Sequence, residues 1–532
     1  MEKIYLVSNG DSRLSANRQC WETQLKMETL LSETLSNLKV KVVRAHSFDK
    51  DKQHGFIDSQ KYGIEVFQNI PNNAPVIIAE SVWQYSQFVI PGLYDHKGPI
   101  LTIANWEGKY PGLVGVLNLN ASLLKAGISY STLWSYDFKD VFFIDKLKEW
   151  LKTGKISHDD SHVSPIEKFE LTDEYSDSLK NFLDDFHSNK KIMGVFDEGC
   201  MGMFNAIVPD QLLNELGIFK ERFSQSELYY QMSQISDQEA NEVLQWLIDQ
   251  GLSFEWGEDP KFELTESQSL EQCKMYIAAV RMAHEHGCDT IGIQYQQGLK
   301  NLTAASDLVE GLLNNQSRPP VFDVNGEELY ANEAIPHFNE VDECAGIDGL
   351  LTYRLWKHLN LPPENTLHDL RYGEELMHQG RREFVWLLMI SGAVPAAHLE
   401  NGYNSATSVR QPAMFFANGG GTLKGVSKPG YVVWSRIYLK DNMLFCDVGT
   451  GESVRLDNAE NKRRWKETNP EWPMMNIVFY GVTKNQMMAR HKSNHIQVAY
   501  VNHREELKTV ALMKAKLYDR LGIKVNICNS NF

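Results

Sequence analysis

Cysteine is scarce in this chain, and the seven present are scattered, odd in number and without a CxxC pair. That excludes a disulfide framework or a zinc ribbon and fits reduced thiols in a cytoplasmic protein. No stretch approaches the roughly 18 apolar residues needed to span a bilayer. The opening MEKIYLVSNGDSR has neither a long apolar core nor a small-residue cleavage site, so it reads as a first strand and not as a secretory signal. Positive charge is also short: 53 Lys and Arg stand against 69 Asp and Glu, a formal net charge of −16. This argues against nucleic acid or an anionic membrane as partner. No G-x-x-x-x-G-K-[ST] phosphate loop occurs, and Gly419–Gly421 followed by Thr422-Leu423-Lys424 does not match the dinucleotide fingerprint. The triple glycine reads as a tight turn, with Lys424 approaching a ligand as the alternative.

What the chain does have is ordinary globular material. Its 532 residues are 42% hydrophobic, enough for several cores. KIYLVSN, an amphipathic run from Cys20 to Leu38, KVKVVRA, APVIIAE, GPILTIAN and the helix GLVGVLNLNASLLKAG alternate strand and helix. That pattern implies a doubly wound parallel sheet over residues 1–160. A polar, acidic stretch near 155–190, with room for a surface helix, leads into a second α/β unit over 161–360. There KKIMGVFDEG, a helix from Ser269 to His286 and TIGIQY repeat the pattern. From 361 to 532, glycine turns separate short alternating runs such as YVVWSRIYL and MLFCDVG, which read as antiparallel strands. A helix from Glu505 to Leu521 and the strand IKVNI close the chain. The expected fold is therefore α/β: two Rossmann-like parallel-sheet domains, then a mixed α+β domain with an antiparallel, barrel-like sheet completing the active site.

Three residues of the last third suggest chemistry: Glu343 in NEVDECAGIDG, Asp369 in LHDLRYG and His495 in KSNHIQVAY. Two hard oxygen donors with one imidazole nitrogen suit a divalent cation of the Mn, Mg or Co kind. A Lewis acid beside acid–base groups is what moving a proton between two sugar carbons requires. Taken singly, each residue is as well explained as a solvated surface group. His491 is four residues before His495, but the alternation of Ile496, Val498 and Tyr500 makes His495 a strand start and leaves His491 out. Cys200 reads as a small buried thiol, with a nucleophile as the alternative. Trp83 and Trp106 follow strands and read as packing residues or as sugar-stacking platforms. Arg13 follows the first strand, where open α/β sheets bind ligands, or is a solvated loop residue.

In order along the chain, GDSR, SVWQYS, NWEGKYPG, QYQQG, VDECAGIDGLLTYRL, LHDLR, NGGG and NHIQV resemble segments of the L-fucose isomerase family. The resemblance implies a metal-dependent aldose–ketose isomerase with Mn²⁺ as its cation and a small sugar as substrate. It also implies a homo-oligomer, a hexamer being one arrangement. It carries the catalytic and metal-binding carboxylates onto Glu343 and Asp369 and the metal-binding imidazole onto His495. Sugar contacts fall on Arg13, Trp83, Gln296 and Asn494. The chain departs from the family at Cys344, at the Thr-Leu-Lys-Gly that follows the glycine turn and in the 155–190 insertion. Those departures leave the aldose open, a 6-sulfonated sugar such as sulfoquinovose included, with Arg13, Lys424 or Arg436 as candidate holders of its anion. A metallohydrolase and a two-lobed sugar-binding protein are the readings from other classes.

Overall fold

Strands whose two faces are both covered by helices are buried along their whole length and are rich in apolar residues. In the computed structural model, which describes residues 1–529 apart from the Cys200 side chain, β3 (Val76–Glu80), β4 (Ile100–Asn105) and β5 (Ser131–Ser135) are buried at every position. With β1 (Lys3–Val7) and β2 (Lys41–Arg44) they form a parallel sheet in the order β2-β1-β3-β4-β5. The chain changes direction across the sheet between β1 and β3, which opens a crevice at their carboxyl ends. Arg13 follows β1 and Trp83 follows β3, so both stand at that crevice.

The helix expected from Cys20 starts earlier, as Leu14–Asn37. Residues 14–19 are largely polar and carry no apolar stripe, yet Ala16 and Asn17 are buried. The insertion contributes a helix, Asp173–Ser188, and a short strand, β6 (Val163–Pro165). The second parallel sheet has three strands, β7 (Lys191–Phe196), β8 (Ile218–Phe223) and β10 (Thr290–Ile293), in the order β10-β7-β8. Its helix Glu266–Glu285 begins at a capping box between Thr265 and Gln268 and stops before Gly287, whose φ is 65°. The parallel pair β9 (Ser253–Phe254) and β13 (Thr407–Ser408) ties this region to the next.

The last region is a mixed sheet built on two hairpins. β11 (Asn365–His378) and β12 (Arg381–Met389) turn through Gln379-Gly380, while β14 (Gly430–Lys440) and β15 (Met443–Ser453) turn through Asp441-Asn442. All four turn residues have positive φ, between 48° and 75°, the left-handed pair that matches strand twist in a two-residue hairpin. β16 (Met474–Phe479) and β17 (His495–Val501) complete a ring in which β14, β17, β11, β12, β16 and β15 pair in turn and β15 returns to β14. β18 (Lys524–Cys528) and β6 extend the sheet beyond β15. The period-2 alternation divides β11, β12, β14, β16 and β17 between two apolar clusters. Trp386, Val432, Trp434, Ile496 and Val498 pack with Trp106 and Leu117, while Leu387, Val433, Ala499 and Val501 pack on the opposite side. Burying both faces also takes polar side chains out of water, among them His368 on β11, neither of whose ring nitrogens has a hydrogen-bond partner among the described residues.

Candidate active site

All three sheets send residues to one pocket. Arg13 and Trp83 come from the crevice of the first sheet, and Gln296 from beyond the end of β10. Glu340 comes from the loop before the helix Glu343–His358, and Asp369 from β11. Phe415, Phe416 and Trp472 supply an apolar wall, and the pocket encloses about 390 Å³, its mouth included.

Asp369 and His495 are register partners across the antiparallel β11–β17 ladder. Their side chains meet, with His495 Nε2 3.5 Å from Asp369 Oδ1. The other ring nitrogen, Nδ1, lies 2.6 Å from Asp342 Oδ2. Asp342 caps the helix by accepting from the Ala345 N–H, and Arg436 binds both of its oxygens at 2.7 and 3.2 Å. Burial would raise the Asp342 carboxyl, but Arg436 and His495 hold it well below the usual carboxylate range. An ionised Asp342 accepts from Nδ1–H and so leaves the Nε2 lone pair directed at Asp369 and the pocket. Burial pulls His495 down, but the Asp342 hydrogen bond together with the charges of Asp342, Asp369 and Glu340 more than offsets it, so the imidazole is raised overall.

The third acid at this point is Glu340, whose Oε2 lies 3.9 Å from His495 Nε2. Glu340 and Val341 have φ of 58° and 55°, left-handed backbone that a β-branched residue rarely adopts. Such strain persists only where the surroundings enforce it, which marks this loop as a functional candidate. Burial pushes the Glu340 carboxyl up to about 8, with His495 drawing it down and Asp369 adding to the rise.

Glu343, the acid expected here, points elsewhere. It is the first residue of the helix, fully buried, and its Oε2 accepts from the Val208 N–H at 2.6 Å and from Lys220 Nζ at 2.9 Å. The capped helix start turns that side chain toward β8, where Lys220 sits, and away from β11 and β17. The expected trio of Glu343, Asp369 and His495 is therefore not assembled; Asp369 and His495 meet, and Glu340 is the acid that joins them.

The expected sugar contacts lie around the same pocket. Trp83 Nε1 and Gln296 Oε1 are buried without a hydrogen-bond partner among the described residues. A donor and an acceptor left open in a pocket wall are the complement of sugar hydroxyls. Asn494 Nδ2 is 3.4 Å from Asp369 Oδ1. Arg13 lines the pocket with its guanidinium already engaged, since Nε and Nη2 bind the Asp11 carboxylate at 2.9 and 2.6 Å and the group stacks 4.7 Å from the Phe415 ring. The other candidate cations are elsewhere. Arg436 is spent on Asp342, and Lys424 sits over the Trp465 ring at 4.6 Å. Trp106 is a packing residue, donating to Gly373 O and resting on Trp386. Gly419 and Gly420 have φ of 69° and 107°, the turn that the triple glycine suggested. His491 Nε2 binds His495 O and faces no carboxylate of the pocket. The reading of Cys200 falls on a side chain outside the described residues.

The residues missed from the sequence are Glu340, the positioning pair Asp342 and Arg436, and the aromatic wall. One signal was available for the first. An Asp cap at 342 starts the helix at 343 and leaves Glu340 in a loop, where ligand-binding residues concentrate. Two carboxylates and an oriented imidazole are donor types that suit a hard divalent cation. Among the described residues, no group of three His, Cys, Asp or Glu side chains is placed so that it could hold a metal ion.

Together these features define an α/β protein whose closed antiparallel ring presents a carboxylate–imidazole pocket suited to a polyhydroxylated ligand. Residues 388–518 match the family model described as L-fucose isomerase, C-terminal domain, which supports a likeness to the L-fucose isomerase family. No curated protein matches the chain significantly. Among solved structures, a sugar ABC transporter from Yersinia enterocolitica subsp. enterocolitica 8081 aligns at 13% identity with a TM-score of 0.14. The alignment covers 55% of this chain and 65% of that one. Among the described residues no helix is long and apolar enough to cross a membrane.

Proposed function

We propose that the protein is a metal-dependent aldose–ketose isomerase acting on a neutral aldose. The observation that carries this reading is the pairing of Glu340 and Asp369 in one pocket wall, with His495 against both, in a chain that bears an L-fucose isomerase C-terminal domain. Glu340, Asp369 and His495 Nε2 would hold the cation, which is Mn²⁺ in this proposal. When bound, it supplies a Lewis acid at the sugar carbonyl.

The chain's own residues do the rest. One of Glu340 and Asp369 takes the proton from C2 of the open-chain aldose while the other carries the hydroxyl proton. The resulting cis-enediol regains a proton at C1 as the ketose. Asp342 and Arg436 keep the imidazole turned with Nε2 toward the pocket. Trp83 Nε1 and Gln296 Oε1 bind sugar hydroxyls, and the aromatic wall excludes water from the enediol. A general acid or base so placed contributes about 10²–10⁴-fold.

Substrate charge follows from the cations. Arg13 is committed to Asp11, Arg436 to Asp342, and Lys424 lies outside the lining, so among the described residues the pocket offers no open cation to a 6-sulfonate. A neutral aldose is therefore preferred to sulfoquinovose. Other copies of the chain as partners and a cytoplasmic setting belong to the same proposal.

The deciding experiment is a screen of neutral and 6-anionic aldoses, with Mn²⁺ and with chelator, read by ketose formation and product mass. Ketose of unchanged mass, made only with the cation, supports the reading. Two products formed with uptake of water would make the protein a hydrolase, and binding without turnover would make it a sugar-binding protein.

A further inference from the structure

A second cleft lies on the opposite side of the first sheet, at the amino ends of β4 and β5, where β14 and the segment before β17 pack against it. It encloses about 1580 Å³, its mouth included. Its lining brings together Lys97, Lys155, Lys440 and Lys492, with Asp441 as the one carboxylate. In a chain of net charge −16 this is a local inversion of sign.

Lys492 is the informative member. Its ammonium donates to Ala489 O at 2.7 Å and to the Tyr130 hydroxyl at 3.4 Å, two neutral groups. Among the described residues no carboxylate forms an ion pair with it. Asp447, the acid whose charge draws the Lys492 ammonium up, is already held by Arg490 at 2.6 Å. Asp441 stands 4.0 Å from Lys440. Lys492 is half-buried, and a cation partly withdrawn from water ordinarily has an anionic partner. Burial, with Arg490 adding to it, pushes the Lys492 ammonium down to about 8, which is the signature of a positive site lacking its counter-charge.

We infer that this cleft binds the phosphate group of a small phosphorylated metabolite, with Lys492 and the Tyr130 hydroxyl at its floor and Lys97, Lys155 and Lys440 around its rim. The ammonium groups act as point charges on the phosphate oxygens, and the hydroxyl donates a neutral hydrogen bond. The cleft is separate from the proposed active site, since it opens at the amino ends of strands whose carboxyl ends face that pocket. Only Ser493 and Asn494 stand between Lys492 and His495, so an occupant would lie at the foot of the segment that carries the imidazole.

Calorimetric titration of the full chain at low salt, with inorganic phosphate and with a hexose 6-phosphate, tests this. One saturable site per chain is expected for both probes, undisturbed by excess unphosphorylated hexose. Lys492→Gln should weaken each by about tenfold or more. Lys97→Gln, a change on the rim that leaves the packing intact, guards against a folding defect and should weaken both more modestly. Absence of binding to the native chain, competition by the neutral hexose, or native affinity in both variants would overturn the inference.

Discussion

Asp369 and His495 sit directly opposite one another on neighbouring strands, so the hydrogen-bond register of β11 and β17 fixes the distance between a carboxylate and an imidazole. A cross-strand pair is among the most rigid ways to hold two groups, and the 3.5 Å gap is set by backbone rather than by long flexible side chains. Asp342 then fixes the ring from behind. Asp342→Asn should lower divalent-cation affinity about 10–100-fold by weakening the hold on Nδ1–H. Metal titration measures the loss, and the nitrogen chemical shifts of the His495 ring report the change of tautomer. Unchanged affinity with unchanged shifts would remove Asp342 from its positioning role.

Glu340 and Glu343 are three residues apart and should behave as opposites. Glu340→Gln keeps the shape and removes the charge, so turnover should fall about 10²–10⁴-fold with the melting temperature nearly unchanged. Glu343→Gln should keep turnover and lose about 1–3 kcal/mol of stability, because Lys220 forfeits its buried partner while retaining Glu198 at 3.1 Å. Steady-state kinetics and calorimetry on the two variants separate the roles. The reverse pattern would return the catalytic assignment to Glu343.

That contrast also marks where sequence reading runs out. LHDLR, with Leu367 and Leu370 three apart, carries no strand period, and the strand under Asp369 came from the structure. NHIQV reads as a strand because Ile496, Val498 and Tyr500 alternate, so His495 could be assigned to a strand start before any coordinates. Choosing among three acids in NEVDE could not be done that way. It depends on left-handed backbone at Glu340 and Val341, which no local propensity of Glu or Val favours and which only the surrounding packing enforces. Closure of the ring by β15, and the three-residue β6 laid against β18, are long-range pairings for the same reason. The segments that form them carry no period long enough to name a partner.

Trp83 presents a buried indole N–H to the pocket with nothing among the described residues to accept it. Trp83→Phe removes that donor and keeps most of the ring, so the loss should fall on substrate binding. KM should rise about 5–10-fold with kcat little changed, the size of one neutral hydrogen bond. A change confined to kcat would mean that the indole meets the substrate only as the reaction proceeds.

Behind the pocket, Asp307 is buried, and burial pushes its carboxyl up to about 7 against the hydrogen bonds of Gln411 and Ser391. The sign of the pH effect follows. Below about pH 4 both the folded and the unfolded chain hold this proton. Between about pH 4 and pH 7 the unfolded chain releases it and the folded chain keeps it, so this residue costs progressively more stability as pH rises. Above that window both states are ionised and the cost is constant. Asp307→Asn has no proton to lose. Its melting temperature relative to the native chain should therefore climb from pH 4 to pH 7 and then level off, as thermal melts across that range would record. A difference that stayed flat would mean that Asp307 is ionised in the folded chain, with some cation near it that the buried acids Glu310 and Glu340 do not supply.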